Sequence, residues 1–552
     1  MITLTFSNSS TIDVRPGMQP KDFLDKIAEA ENISIENIAA VRVNNEICSL
    51  SYSLDYTATI QAVPASSNEG ADIYRRTLCF VLAASAHTLF PGKRLIVGHS
   101  LGHGYYYTLD DEKPITLFEV SQLKAQMHLL IEKNLEITQL VVSYAEALKI
   151  LEDLNLEQTR KSLDFNCPSK VIMNNLTGFS NIYYSPLLHR TGRLSAFDLT
   201  LYEDGFLLRF PPSETPGKLD SDTENPKLFS VYKRYKDWGK RIGVTSAAEL
   251  NYFIKNRTFR DFINITETLQ NKCFAEAADT IQKKENVKVV LIAGPSSSGK
   301  TTSSKKLAQQ LQVNGFSPRI ISIDDYYVGR ESTPKDENGN YDYECLEALD
   351  IALLNENLVL LFNGGEINLP TYDFVAGERR YSGKKMRLEK SDILILEGIH
   401  ALNDKLTPLI DTSLKFKIYV SALTQLNLDD LTRISTSDNR LIRRIVRDSQ
   451  FRGKSAADTI DMWPSVKRGE RLHIFPFQNN ADIMINTALD YELAVLRVYA
   501  EPLLRCVTPL QEEYSEATRL LRFLTHFSPI PSNFVPSQSL LREFIGGSEF
   551  KY

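Results

Sequence analysis

Six cysteines in 552 residues, with no C-x-x-C pair among them, leave neither a disulfide framework nor a zinc knuckle to be built. Cys48, Cys79, Cys167, Cys273, Cys345 and Cys506 are expected as reduced thiols behaving as small apolar side chains. No apolar run approaches the ~18 residues that cross a bilayer, the longest being stretches such as 78–86 and 289–293, so no membrane partner is expected. Cations are not in excess either. The 63 Lys and Arg against 69 Asp and Glu leave a formal charge of −6, and no global field draws in nucleic acid or an anionic surface. Residues 1–10 lack the basic and then apolar segments of a secretory leader, which sets the expectation of a cytoplasmic address. Internal repeats and low-complexity tracts are absent as well.

What is present is an ordinary globular composition, 43% apolar and 24% charged, in a chain long enough for several domains at roughly 100–200 residues each. Residues 1–63 alternate short strands around one helix near 20–30. A cluster of turn formers at 63–70 marks a boundary, after which periodic apolar residues predict a helix over 73–90. A mixed α+β region, 64–250, carries a helix-like stretch at 117–133, a strand-like piece at 205–210 and a polar loop at 213–225. The spacing of Leu269, Cys273, Phe274, Ala277, Ala278 and Ile281 predicts a connector helix within 251–286. Over 287–490, strand-like runs at 287–293, 320–323, 393–396, 416–420 and 482–485 alternate with helical segments. This is the signature of an α/β unit, a parallel sheet flanked by helices. A helical, then Pro-interrupted extension, 491–552, follows.

Gly294, Pro295, Ser296, Ser297, Ser298, Gly299, Lys300 and Thr301 fit G-x-x-x-x-G-K-[ST] at every fixed position, behind an apolar strand and before a helix that starts near Thr302. Such a loop turns backbone N–H groups and a helix N-terminus toward phosphate, with Lys300 as cation and Thr301 as a hydroxyl ligand for Mg²⁺. Glu397 ends the apolar strand 392–397, where open α/β sheets bind ligands, and can hold Mg²⁺ or its water. His400 behind it reads as structural. Asp324 and Asp325 end another strand, and either could accept the proton of a hydroxyl that attacks phosphorus. Arg443, Arg444, Arg447, Arg452, Lys454, Lys467, Arg468 and Arg471 concentrate cations in an acidic chain. A solvated basic helix face would explain such a run; a mobile helical lid that clamps phosphate explains it better beside these acids.

In this order the elements resemble the uridine kinase and phosphoribulokinase family of P-loop kinases over 287–489: GPSSSGKTT, SIDDYY, LPTYDF, LILEGIHAL, and RRIVRD with RGK. The resemblance implies ATP and Mg²⁺ as cofactors and transfer of a γ-phosphoryl to a nucleoside 5′-hydroxyl. It assigns Asp324 as proton acceptor; Arg444, Arg447, Arg452 and Lys454 to the lid; and Tyr327, Tyr372, Phe374 and Arg379 to the acceptor pocket. The phosphate loop through Thr302 and Arg452 would hold ATP, with Thr301 and Glu397 at the metal. Gly377 stands where uridine kinases carry a histidine that contacts the pyrimidine, so a sugar or sugar-phosphate acceptor is the alternative.

Residues 1–63 resemble the β-grasp TGS module, and 64 to about 210 the editing-type domain, of threonyl-tRNA synthetases. Arg76 and Phe80 stand where that family has an H-x-x-x-H pair, and its downstream Cys and His are missing near 205–209, so editing hydrolysis is not expected. His99 and His103 make an H-x-x-x-H of their own among glycines 98, 102 and 104, a loop pattern without a third ligand nearby. A nucleotide switch whose front half binds tRNA or another RNA is the competing reading, weakened by the lack of a cationic stripe there. A homo-oligomer is expected.

Overall fold

The computed structural model describes residues 1–111, 113–220, 226–337, 339–373 and 376–551. The expected polar loop at 213–225 falls partly outside them; residues 213–220 are irregular and mostly exposed.

The first sheet has five strands in the order Thr11–Val14, Ile2–Phe6, Ala58–Pro64, Ile38–Val43, Glu46–Cys48. Ile2–Phe6 runs parallel to Ala58–Pro64, and the other pairs are antiparallel. Helix Leu24–Glu31 lays Ile27 on Leu4, Val41 and Ile60. The next helix, Asn68–Leu89, starts five residues earlier than the apolar period predicts. Ser67, counted among turn formers, caps it by accepting from the Gly70 N–H. Behind it stand a four-stranded sheet, Asp198–Tyr202, Gly205–Arg209, Gly104–Leu109 and Leu95–Ser100, and a three-stranded one at 138–181.

The connector helix, α1 (Phe259–Lys283), leads into a second five-stranded sheet. Its strands are β1 (Val289–Ala293), β2 (Ser317–Ser322), β3 (Asp392–Glu397), β4 (Lys415–Ser421) and β5 (Ile483–Asn486), ordered β2-β3-β1-β4-β5 and all parallel. β1, β3 and β4 are buried along their whole length, as strands covered by helices on both faces must be. Helix α2 (Lys300–Val313) follows β1, and α3 (Thr436–Phe451) and α4 (Ala456–His473) lie between β4 and β5. The C-terminal helices α5 (Glu492–Leu504) and α6 (Tyr514–Leu524) share one core with α3, so residues 491–552 are packed on the sheet unit rather than appended to it.

The loop between β4 and α3 ties this unit to the front half. The Val97 N–H donates to the Asp430 carbonyl (2.8 Å), Asn427 Nδ2 donates to the Val97 carbonyl (2.8 Å), and Leu431 belongs to the front core. A cavity of about 340 Å³ lies at this seam, lined among others by Tyr106, Tyr232, Lys236, Glu249 and Asp430, away from the phosphate loop.

Candidate active site

The loop from Gly294 to Thr301 leaves the C-terminal end of β1, the central strand, so its N–H groups stand at the sheet edge where α/β folds take ligands. Its path depends on glycine. A Cβ on Gly294 would collide with the Val420 carbonyl oxygen, and Gly299 caps α2 with φ +83°. Ser297 also sits in the left-handed region, at φ +57°. Lys300 folds back on the loop, its Nζ donating to the Pro295 carbonyl (3.3 Å).

Three chain segments meet at Glu397. The Thr301 hydroxyl and the Ser322 hydroxyl each donate to its Oε1 at 3.1 Å, bringing together the ends of the loop, β2 and β3. Burial, and then the negative charge of Asp324, push the Glu397 carboxyl up to about 7, with Lys300 opposing. Hydroxyl and carboxylate oxygens with a nearby second acid form a donor set that suits a hard divalent cation such as Mg²⁺, which keeps waters and substrate phosphates as its other ligands. Among the described residues no group of three or more His, Cys, Asp or Glu is positioned for a metal.

The two adjacent acids divide. Asp325 accepts from the Tyr372 N–H (3.1 Å), which fixes the hairpin strand Glu366–Asp373, whereas Asp324 is close enough to raise Glu397, Glu344 and Tyr327. Tyr327 and Tyr372 stand ring to ring at 5.6 Å, and the Tyr327 hydroxyl donates to the Tyr343 carbonyl (3.0 Å), making an aromatic wall beside Asp324. Arg379 on the facing hairpin strand donates to Asp350 (2.9 Å). Gly377 turns with φ +73°, and Arg330 lies against it: a Cβ there would come within 2.8 Å of Arg330 Nε. Phe374 lies outside the described residues.

Within α3 the arginine run is not a solvated face, although Arg452, Lys467 and Arg471 beyond it are exposed. Helix α3 is buried on nearly every side, with Arg443 at 0% exposure paired to Glu492 and donating to the carbonyls of Ser297 (3.2 Å) and Thr487 (2.8 Å). Arg440 pairs with Glu470 and donates to the Ser296 carbonyl (3.0 Å). These two arginines hold the phosphate loop in shape. Arg444 reaches it too, donating to the Ser296 hydroxyl (2.8 Å) while bonding Asp448 (3.2 Å). Arg447 shares Asp448, Arg452 approaches it at 3.7 Å, and Lys454 turns to the Met462 sulfur (2.9 Å). One carboxylate thus gathers three of the four cations assigned to the lid.

Two carboxylates here were not singled out in the sequence. Glu344 is half-buried near Lys300, Asp324 and Arg444, and desolvation pushes it up to about 7. One of its oxygens has no hydrogen-bond partner among the described residues. Its signal was an acid inside an aromatic loop, Tyr341-Asp-Tyr-Glu344. Glu543, from the C-terminal extension, accepts from Thr302 at the start of α2. No local pattern marks it.

In the front half, the two histidines of the H-x-x-x-H motif do not converge on a site among the described residues. His99 lies on a strand, buried and stacked on Tyr232 at 5.7 Å, while His103 sits in the following turn, 3.5 Å from Asp220. Arg76 donates to the Pro186 carbonyl (2.8 Å) and Phe80 is core, so both substituted positions serve packing.

The family model described as "Phosphoribulokinase / Uridine kinase family" matches residues 289–494. A uridine kinase of Macrococcus caseolyticus is 35% identical over 199 residues, 36% of this chain and 86% of that protein; one of Ligilactobacillus salivarius is 33% identical over 214 residues, 38% and 91%. A threonine–tRNA ligase of Acetivibrio thermocellus is 26% identical over 202 residues, 36% of this chain and 31% of that one. A solved structure titled as a "Possible Uridine Kinase from Bacillus stearothermophilus" aligns with 42% of this chain and all of its own, at 21% identity and a TM-score of 0.26. Through the sheet, the phosphate loop and the acids that meet it, the chain belongs to the phosphoribulokinase and uridine kinase family.

Proposed function

We propose that the chain is an ATP- and Mg²⁺-dependent nucleoside kinase that moves the γ-phosphoryl of ATP to a ribose 5′-hydroxyl. The observation that carries this reading is the meeting of Thr301, Ser322 and Asp324 at Glu397, directly beside the phosphate loop. Thr301 and Glu397 would hold Mg²⁺, which when bound offsets phosphate charge. The loop N–H groups, Lys300 and Thr302 bind the phosphate chain, and Arg444, Arg447 and Arg452 supply cationic charge from the Asp448 cluster. Asp324 takes the hydroxyl proton as that oxygen bonds to the γ-phosphorus and the bond to the bridging oxygen of ADP breaks. Tyr327 and Tyr372 wall the acceptor, with Phe374, Arg379 and Lys454 at its margin. Glu344, half-buried near Asp324, is placed to accept from a second acceptor hydroxyl.

One observation favours a second acceptor class. Arg330 lies against Gly377, so a sugar phosphate would meet a cation at that end of the pocket. For the front half, the match to a threonine–tRNA ligase and the mixed first sheet support a TGS-like module followed by an editing-type fold. The packing roles of Arg76 and Phe80 fit a platform rather than a hydrolase. No helix among the described residues is long and apolar enough to cross a membrane. A cytoplasmic setting suits an enzyme that consumes ATP.

The test is ADP release with ATP and Mg²⁺ across nucleosides, ribulose 5-phosphate and tRNA. Turnover with a nucleoside that drops about 10²- to 10⁴-fold in Asp324→Asn is expected. Turnover with ribulose 5-phosphate alone selects the second class, and stimulation by neither sinks both.

A further inference from the structure

The C-terminal segment closes on the phosphate loop. Leu540, Leu541 and Phe544 are fully buried in the core that holds α3, and the Phe544 ring lies 4.9 Å from the Arg443 guanidinium. Leu540 covers Gly299 so closely that a Cβ on that glycine would come within 2.5 Å of a leucine methyl. From this anchor the short turn Arg542–Ile545 aims the Glu543 carboxylate at the first turn of α2. One oxygen accepts both the Thr302 N–H (3.1 Å) and the Thr302 hydroxyl (2.5 Å). Farther along, Lys305 Nζ donates to the Lys551 carbonyl.

A backbone N–H and a hydroxyl at a helix N-terminus, directly after a phosphate loop, are donors for a phosphate oxygen. Glu543 meets them with an anion of its own, and carboxylate and phosphate cannot share one pair of donors. We propose that Glu543 is an internal competitor for the phosphate chain of ATP, and that its turn is a clasp, anchored by Leu540, Leu541 and Phe544, whose carboxylate the nucleotide must displace. The proposal rests on the nucleotide-site reading above. It adds that the chain sets its own affinity for ATP through the balance of clasped and open forms. Apparent affinity falls by the fraction of molecules that are open, so any partner, modification or neighbouring charge that loosens the clasp raises it. Leu540, Leu541 and Phe544 keep the clasp part of the fold, so only a local movement of Glu543 and its turn is required.

The test is calorimetric binding of ATP with Mg²⁺, without acceptor, to the full chain and to Glu543→Gln and Glu543→Ala. Lys300→Ala serves as a control for the loop. Charge-assisted hydrogen bonds of this kind support an expectation of about tenfold tighter ATP binding in both Glu543 variants. The KM for ATP should fall in step, with kcat little changed. In the unmodified chain, ATP should also speed hydrogen exchange at the amides of 538–546, a response that a merely structural turn would not give. Equal or weaker ATP binding by the folded variants overturns the clasp while leaving the kinase reading standing. Unchanged exchange at 538–546 on ATP binding overturns it too, and decides the matter should the variants fail to fold. Absence of ATP binding in every chain overturns the nucleotide site itself, and the clasp with it.

Discussion

Asp324 and Asp325 adjoin in the chain and differ in what they touch, because consecutive residues of the short turn after β2 point to different sides. Asp325 is committed to the Tyr372 N–H, leaving Asp324 toward Glu397. Asp324→Asn is expected to lower kcat about 10²- to 10⁴-fold with ATP binding retained, and Asp325→Asn to act mainly on the KM for the acceptor through Tyr372; steady-state kinetics of the pair checks this. Gly294→Ala should abolish ATP binding, measured by calorimetry, since the Val420 carbonyl occupies the space a methyl needs. A third residue carries a pH signature. Burial first, then the positive charge of Arg433, hold His99 down to about 3, so the folded state keeps it neutral while the unfolded chain protonates near 6.5. The unfolded state binds the extra proton, and stability is lost as pH falls from about 6.5 toward 3, by about 2 kcal/mol at pH 5. In His99→Gln, the difference between melting temperatures at pH 7 and pH 5 should shrink. The phosphate loop, Glu397 and the pair of acids were legible from residue order alone, because chemistry forces their spacing. Which acid faces inward came only from the family resemblance, since a one-residue difference in a turn leaves no periodic trace.

At the scale of elements, α3 departs furthest from its sequence. The run Arg443-Arg-Ile-Val-Arg447-Asp448 looks like an exposed basic helix, yet Leu441, Ile442, Ile445 and Val446 share its turns, and all four are fully buried. A helix apolar on one side and cationic on the other would ordinarily put the cations in water. Here the phosphate loop, α4, the start of α5 and Phe544 meet that side, with Glu470 and Glu492 as counter-charges. Glu492 lies 49 residues from Arg443, too far for any pattern along the helix to reveal it. Glu492→Ala would strand a wholly buried guanidinium, and a loss of about 3–5 kcal/mol is expected by urea denaturation. The helix starting at Asn68 teaches the same lesson on a smaller scale. Ser67 can end a turn or begin a helix, and only the packing behind it decides.

Across the whole molecule, the parallel sheet was legible because its buried strands read as unbroken apolar runs, and the seam between halves was not, because it is made of main-chain bonds. Asn427 is its clearest side-chain member. Asn427→Ala removes the donor to the Val97 carbonyl inside that seam, and a loss of about 1–3 kcal/mol is expected by thermal denaturation, with ATP binding unchanged. The contact between Thr302 and Glu543 spans 241 residues, which gives it a further meaning in time. Ribosomes add roughly 5–20 residues each second, so some tens of seconds separate the birth of the phosphate loop from that of Glu543. During synthesis the loop's donors emerge with no carboxylate of their own chain to meet them. On the clasp reading, a nascent copy that takes up nucleotide after Arg443 and Glu492 have emerged to shape the loop, and before Glu543 has, starts its life already open.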